Sequence, residues 1–286
     1  MNSPLRYDPV MLFRAAGTVT AGLSYLAPTP VRPCSYMYEP ADGTPQDNCE
    51  YVVQPMPIAD ARFTAPLLDV EGFELRAAPS ALTRFDDDEA IRRTYYAEAA
   101  ELACAVTGAR RAYVFDHQIR RREPGQKLVG FGRRGDGSRP AAVARVHNDY
   151  SEASGRARLH TVLGAAAAKV SRHGIVNVWR PIGGPVLDAP LAVCDARSVA
   201  ASDLVAAEVR YPSRSGEIYL LTHSPRHRWY YYPAMDTDEA LIFKQYDSAL
   251  AGVARCTPHA AFEHPLTPPD APPRCSIEVR ILVIYQ

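Results

Sequence analysis

From Ile175 the chain reads IVNVWRPI (175–182), PLAVCD (190–195), EIYLLTH (217–223), RWYYYP (228–233), EALIFKQYD (239–247), CTPHAAF (256–262) and CSIEVRILVIY (275–285). Each run is short, rich in β-branched and aromatic residues, and closed off by Pro, Gly, Asp or Ser, which is how strands separated by turns look in sequence. Working back towards the N-terminus, AYVFDHQI (112–119) reads as another strand. Before it, the stretch from Asp86 to Thr107 opens on three acids, is filled with Ala and Glu, and stops at Gly108. Acids suit the positive end of a helix and a glycine suits its exit, so a helix is expected over 86–107. A second helix is expected from about Arg156 to Val170. The first 80 residues, rich in Pro, read as irregular coil with short strands, and Arg120–Pro140 as a loop or hairpin. The sum is a mainly β protein with flanking helices (α+β), a β-sandwich or jelly roll with a helical buttress. One domain, 1–286, is expected: a segment 1–110 carrying the 86–107 helix wraps a β core of 111–286.

Composition narrows the function classes. Thirty-two basic side chains balance 32 acidic ones, which argues against a nucleic-acid partner. No apolar run is long enough to span a bilayer and no secretory leader is visible, so a cytoplasmic location without membrane contact is expected. The six cysteines form no CxxC pair and read as mostly buried thiols.

The chemistry centres on His147-Asn148-Asp149. Residues i and i+2 of a strand point to one face, so an imidazole and a carboxylate can converge on one point. They are two-thirds of the facial triad that binds non-haem Fe(II). His259, in a strand-like segment downstream, supplies a second imidazole. Arg274-Cys275-Ser276 then opens the last strand with a guanidinium fork and a hydroxyl on one face, a carboxylate-binding pair. Three protein ligands leave three positions on iron: a 2-oxo acid would chelate through two, with its distant carboxylate on Arg274 and Ser276, and O2 would take the last. Asn177 and Trp179 share a face of their strand and are candidate pocket residues. Each piece also has a plainer reading. His147 could be a hydrogen-bonded core histidine, and the alternation of Arg274, Ser276, Glu278 and Arg280 with apolar residues fits a solvated sheet face as well as a polar interior. The order HxD, distal His, Arg-x-Ser favours the metal site. Gly130–Gly135 matches GxGxxG without the strand–turn–helix context that binding a dinucleotide needs. His223 and His227 flank a Pro-Arg turn and are expected to be exposed.

The segments HNDYSEASG, NVWRPIGGPVLDAPLAVCDARSV, RWYYYPAMDTDEALIFKQYDS, TPHAAFEHP and PRCSIEVR together resemble the CmcJ-like and AsaB-like hydroxylase/desaturase family, which includes gibberellin desaturase-like proteins. The resemblance covers roughly residues 110–286. It implies a double-stranded β-helix (jelly roll, cupin-like) using Fe(II), 2-oxoglutarate and O2 to hydroxylate or desaturate a small molecule, with succinate and CO2 released. It implies iron ligation by His147, Asp149 and His259 and 2-oxoglutarate binding by Arg274 and Ser276. Cys275 stands where the family pattern has Glu. Two alternatives stay open: a cupin-like metalloenzyme that does not use 2-oxoglutarate, and a non-catalytic partner protein of a biosynthetic pathway. Substrate identity and oligomeric state are not legible.

Overall fold

The computed structural model describes residues 9–15, 17–41, 43–122, 128 and 140–286. Two sheets dominate. The larger has nine strands, in the spatial order Val19–Leu26, Tyr51–Asp60, Trp229–Tyr231, Leu191–Cys194, His259–Ala261, His147–Asn148, Ser215–Leu221, Leu204–Arg210 and Cys34–Tyr36. The smaller has five: Phe73–Ala77, Glu239–Asp247, His173–Pro181, Cys275–Ile284 and Arg111–Arg121. They form the curled, cupin-like jelly roll expected from the strand runs.

The helix over the smaller sheet starts at Asp88, where the Asp87 side chain accepts the Glu89 N–H, and ends at Thr107 before Gly108, whose φ of 69° is one that glycine adopts freely. Directly after its first turn, Ile91–Tyr95 widens into a π turn. Ile91, Tyr95, Ala99 and Ala103 recur every fourth residue and pack on Val176, Val178, Ile277, Val279 and Ile281. The alternate residues of those two strands therefore face inward, towards the larger sheet. There Trp179 joins Leu191, Val193 and Phe243 in a second apolar cluster. Ser276 is 1% and Glu278 6% exposed, so the polar alternation of the last strand lines the interior and is not a solvated face.

Several expectations needed revision. The first 80 residues contribute strands of eight and ten residues, Val19–Leu26 and Tyr51–Asp60, paired antiparallel along their length. Pro55 and Pro57 lie two apart, so both missing N–H groups belong to the same edge of the strand and leave its other ladder intact. The second helix runs from Glu152 to Leu163 and passes into a 3-10 segment, Gly164–Lys169. It begins earlier than expected because Ser151 and Ser154 cap its first turn reciprocally. Leu204–Arg210 is a strand that the reading did not anticipate. Of the cysteines only Cys194 is buried, the other five being half-buried. His227 is 3% exposed, bonded to Tyr25 and Asp203, while His223 is exposed. Most of the 120–140 loop, including Gly130–Gly135, lies outside the described residues. Among those described, no helix is long and apolar enough to cross a membrane.

Candidate metal centre

His147 and His259 sit on two short neighbouring strands of the larger sheet and are direct cross-strand partners. Opposed residues put their side chains on the same face at close range, and the imidazole centroids are 4.4 Å apart. Asp149 follows two residues after His147. One ligand atom from each of His147, Asp149 and His259 can be chosen so that all lie within 4.8 Å of one another, and Asp149 Oδ1 is 3.5 Å from His147 Nε2.

The surroundings fix which atoms are offered. His147 Nδ1 is 2.7 Å from the Arg145 carbonyl and His259 Nδ1 is 3.2 Å from that of Thr257. A carbonyl only accepts, so each imidazole carries a proton on Nδ1, which makes Nε2 the ring atom that would ligate a metal. Burial, and then the neighbouring His147, pushes the His259 pKa down to about 3, which keeps that ring neutral at physiological pH. The carboxylate of Asp149 is clamped from the smaller sheet: Oδ2 accepts from Asn177 Nδ2 at 2.9 Å and from Arg280 Nε at 3.0 Å. Asn177 and Arg280 are themselves cross-strand partners. Burial alone would raise the Asp149 pKa, but the Arg280 guanidinium and the two histidines hold it well below the usual carboxylate range. With Oδ2 engaged, Oδ1 is left facing His147. Two imidazole Nε2 atoms and one ionised carboxylate oxygen match the donors of a facial triad for Fe(II).

The backbone is held as firmly. Asp149 N–H donates to Gln245 Oε1 at 2.7 Å, and Asn148 Nδ2 donates to the carbonyls of Tyr150 and Gln245. Asn148 Oδ1 accepts from Thr257 N–H, tying the two histidine strands together.

Two cavities meet at His147. The inner, small one is lined by Arg120, Val143, His147, Trp179, Leu191, His259, Ala261, Arg274 and Glu278. Arg274 is 4% exposed, donates from Nη1 to the Ala189 carbonyl at 2.5 Å and lies 5.7 Å from the Trp179 ring centre. Its Nε has no hydrogen-bond partner. No carboxylate is paired with it among the described residues. Burial, reinforced by Arg120, lowers its pKa to about 10, so it stays charged at neutral pH and gains from an incoming anion. Ser276 shares its strand face without lining this cavity. Trp179 does line it. Asn177 lines neither cavity and acts instead on Asp149. The outer cavity, of about 330 Å³, has His147, Asp149 and Arg280 in its wall together with the Glu152–Leu163 helix and the Ser215–Leu221 strand.

Sequence reasoning missed Arg280, Gln245 and Arg120. Arg280 joins Asp149, Glu278 and Asp116, and its one readable signal was its position on the polar face that carries Arg274. Asp116 and His117, adjacent in the chain, have separate partners: Asp116 pairs with Arg280, and His117 with Tyr96 and Asp88.

Comparison with known proteins agrees with this geometry. The family described as "Oxidoreductase/YMDC permease-like domain" matches residues 23–284. The chain is 34% identical over 259 residues to the Fe(II)/2-oxoglutarate-dependent dioxygenase nvfI of Aspergillus novofumigatus, covering 87% of this chain and 89% of that one. It is 30% identical over 289 residues to the hydroxylase/desaturase efuI of Hormonema carpetanum, covering 91% and 96%. Among solved structures, the iron and alpha-ketoglutarate-dependent endoperoxidase NvfI superposes with a TM-score of 0.82 at 30% identity, over 94% of this chain and 98% of that one. The chain belongs to the hydroxylase/desaturase family of Fe(II)- and 2-oxoglutarate-dependent dioxygenases.

Proposed function

We propose that His147, Asp149 and His259 hold Fe(II), that Arg274, with Ser276 beside it on the same strand face, receives the distal carboxylate of 2-oxoglutarate, and that the outer cavity presents one C–H bond of a small molecule for hydroxylation or desaturation. The observation that carries this reading is the pairing of a preorganised two-histidine, one-carboxylate donor set with a buried, carboxylate-free guanidinium in the adjoining cavity. Bound iron, with 2-oxoglutarate and O2, supplies the oxidising power for C–H cleavage while 2-oxoglutarate becomes succinate and CO2. The chain's own residues orient the ligands, neutralise the co-substrate and keep water from the reacting bond. NvfI is described as an endoperoxidase, so the framework admits more than one oxidative outcome, and the shape of the outer cavity selects among them. Residues 19–26 and 51–60 share a sheet with the histidine strands, which supports a single oxygenase domain over 1–286.

The test is an anaerobic Fe(II) titration with 2-oxoglutarate, following the visible charge-transfer band of the chelate, with Arg274→Ala and Ser276→Ala alongside. The wild type should develop the band. Arg274→Ala should need far more 2-oxoglutarate for it while binding iron normally, and Ser276→Ala should need moderately more. Bound metal without a band would favour a cupin-like enzyme that makes no succinate. Absence of bound metal would point to a non-catalytic partner protein.

A further inference from the structure

The outer cavity has an unbalanced wall. Its three carboxylates are already engaged: Asp149 and Asp116 by Arg280, and Glu217 by Arg32 and the Ser151 hydroxyl. Of its four guanidiniums only Arg280 is paired with carboxylates among the described residues. Arg120 donates to the Ala141 carbonyl, and exposed Arg214 lies over the Tyr211 ring. Arg158 differs from both. It projects from the Glu152–Leu163 helix beside two aromatic rings, 4.8 Å from the Phe115 centre and 5.6 Å from that of Tyr150. Its Nε is buried without a hydrogen-bond partner, and among the described residues no carboxylate or carbonyl accepts from the rest of its guanidinium. The two rings, at right angles to each other, shield part of the group from water, and Arg158 lines the cavity whose wall also holds His147 and Asp149, so a ligand there would meet its unused donors. The remaining wall is mixed, with Met37, Val143, Val209 and Ile218 set among polar residues such as Gln118, Ser154 and Tyr211.

We propose that the substrate is a carboxylic acid, and that Arg158 receives its carboxylate. The anchored acid fixes one end of the molecule, and the rest of it lies along the same cavity towards His147 and Asp149. Arg158 is thus a specificity-determining residue of the oxygenase reading above, on which this inference rests. A planar guanidinium takes a carboxylate in two parallel hydrogen bonds and has no such use for the isosteric amide.

The experiment uses ligand-observed fluorine NMR with 4-fluorophenylacetate and 4-fluorophenylacetamide. The full chain is kept metal-free, with 2-oxoglutarate saturating to occupy the Arg274 site. The acid should bind about tenfold or more tightly than the amide. Arg158→Gln should erase that preference and leave amide binding unchanged, which also shows the cavity intact. Arg274→Ala should leave the preference in place. Equal binding of acid and amide, a preference that survives Arg158→Gln, one lost in Arg274→Ala, or no binding of the acid at millimolar concentration would each overturn the assignment. The iron and 2-oxoglutarate band, measured on the same proteins, separates the two readings: its absence refutes the oxygenase function, and its presence beside a failed acid preference refutes only the role of Arg158.

Discussion

Replacing Asn177 by leucine removes one of the two donors to Asp149 Oδ2 while keeping the branched shape and heavy-atom count of the side chain. The lost hydrogen bond, 2.9 Å long and made to an ionised carboxylate, is worth roughly 1.5–3 kcal/mol. The other end of the same side chain, Asn177 Oδ1, is buried with no partner, a standing cost of roughly 1–3 kcal/mol that leucine abolishes. In the metal-free protein the two nearly cancel, so unfolding free energy should change by less than about 1 kcal/mol and Tm by no more than roughly 2–4 °C. Iron binding has no such compensation. With Arg280 alone on Oδ2, the carboxylate is free to turn and Oδ1 is no longer held towards His147, so iron affinity should fall by roughly 10–100-fold, the usual effect of losing a partner that orients a ligand. Anaerobic titration calorimetry with Fe(II) and a thermal melt of the apoprotein measure the two quantities independently. Iron affinity within about twofold of the wild type, or a melt lowered by more than about 10 °C, would refute the division of roles.

Three further outcomes are expected. Arg280→Met strands the buried carboxylates of Asp149 and Glu278 and should destabilise the fold by roughly 3–5 kcal/mol as well as weakening iron binding; a stability close to wild type by denaturant unfolding would show that the cluster is not held by charge. Gly155→Ala should lower Tm by several degrees, although alanine ordinarily favours a helix, because a Cβ there would lie 2.4 Å from the Tyr246 ring; a raised Tm would mean that the ring moves freely aside. Burial pushes the His264 pKa down to about 4, below its unfolded value of about 6.5. The unfolded chain therefore takes up the proton first, and stability present above pH ~6.5 is lost as pH falls towards 4, by at most about 3 kcal/mol from this group. The stability–pH curve of His264→Gln should be flatter over that window, and curves parallel to the wild type would remove His264 from the account.

The strands that were easiest to read are those in which hydrophobic pattern and β-propensity agree. Leu204–Arg210 (LVAAEVR) escaped because Ala and Glu favour helices, and only its pairing with Ser215–Leu221 and Cys34–Tyr36 makes it a strand. Tyr51–Asp60 was obscured by prolines that a one-sided ladder tolerates. At the site, the triad was legible because His-x-Asp on one strand and a distal His are patterns of residue type. Arg280, Gln245 and Asn177 were not, or were given another role, because they act from the opposite sheet. No local pattern in one strand reveals which side chain of a distant strand will meet it across the interior. Asn177 shows the limit well: its inward face was readable from alternation, yet its contact with Asp149 depends on the sheets' mutual placement.

The cross-strand pairing of His147 with His259 separates what must stay constant from what can vary. Their spacing is set by adjoining backbones and by Asn148 bridging them, so it does not depend on the length or composition of the connecting loops. The outer cavity owes much of its wall to side chains of the Glu152–Leu163 helix and the Ser215–Leu221 strand. Exchange of those side chains can admit a different molecule while the iron ligands keep their separation. Such a scaffold can diversify its chemistry by altering the mouth of the jelly roll alone, and directed evolution of this chain towards new substrates should begin there and leave the paired histidine strands untouched.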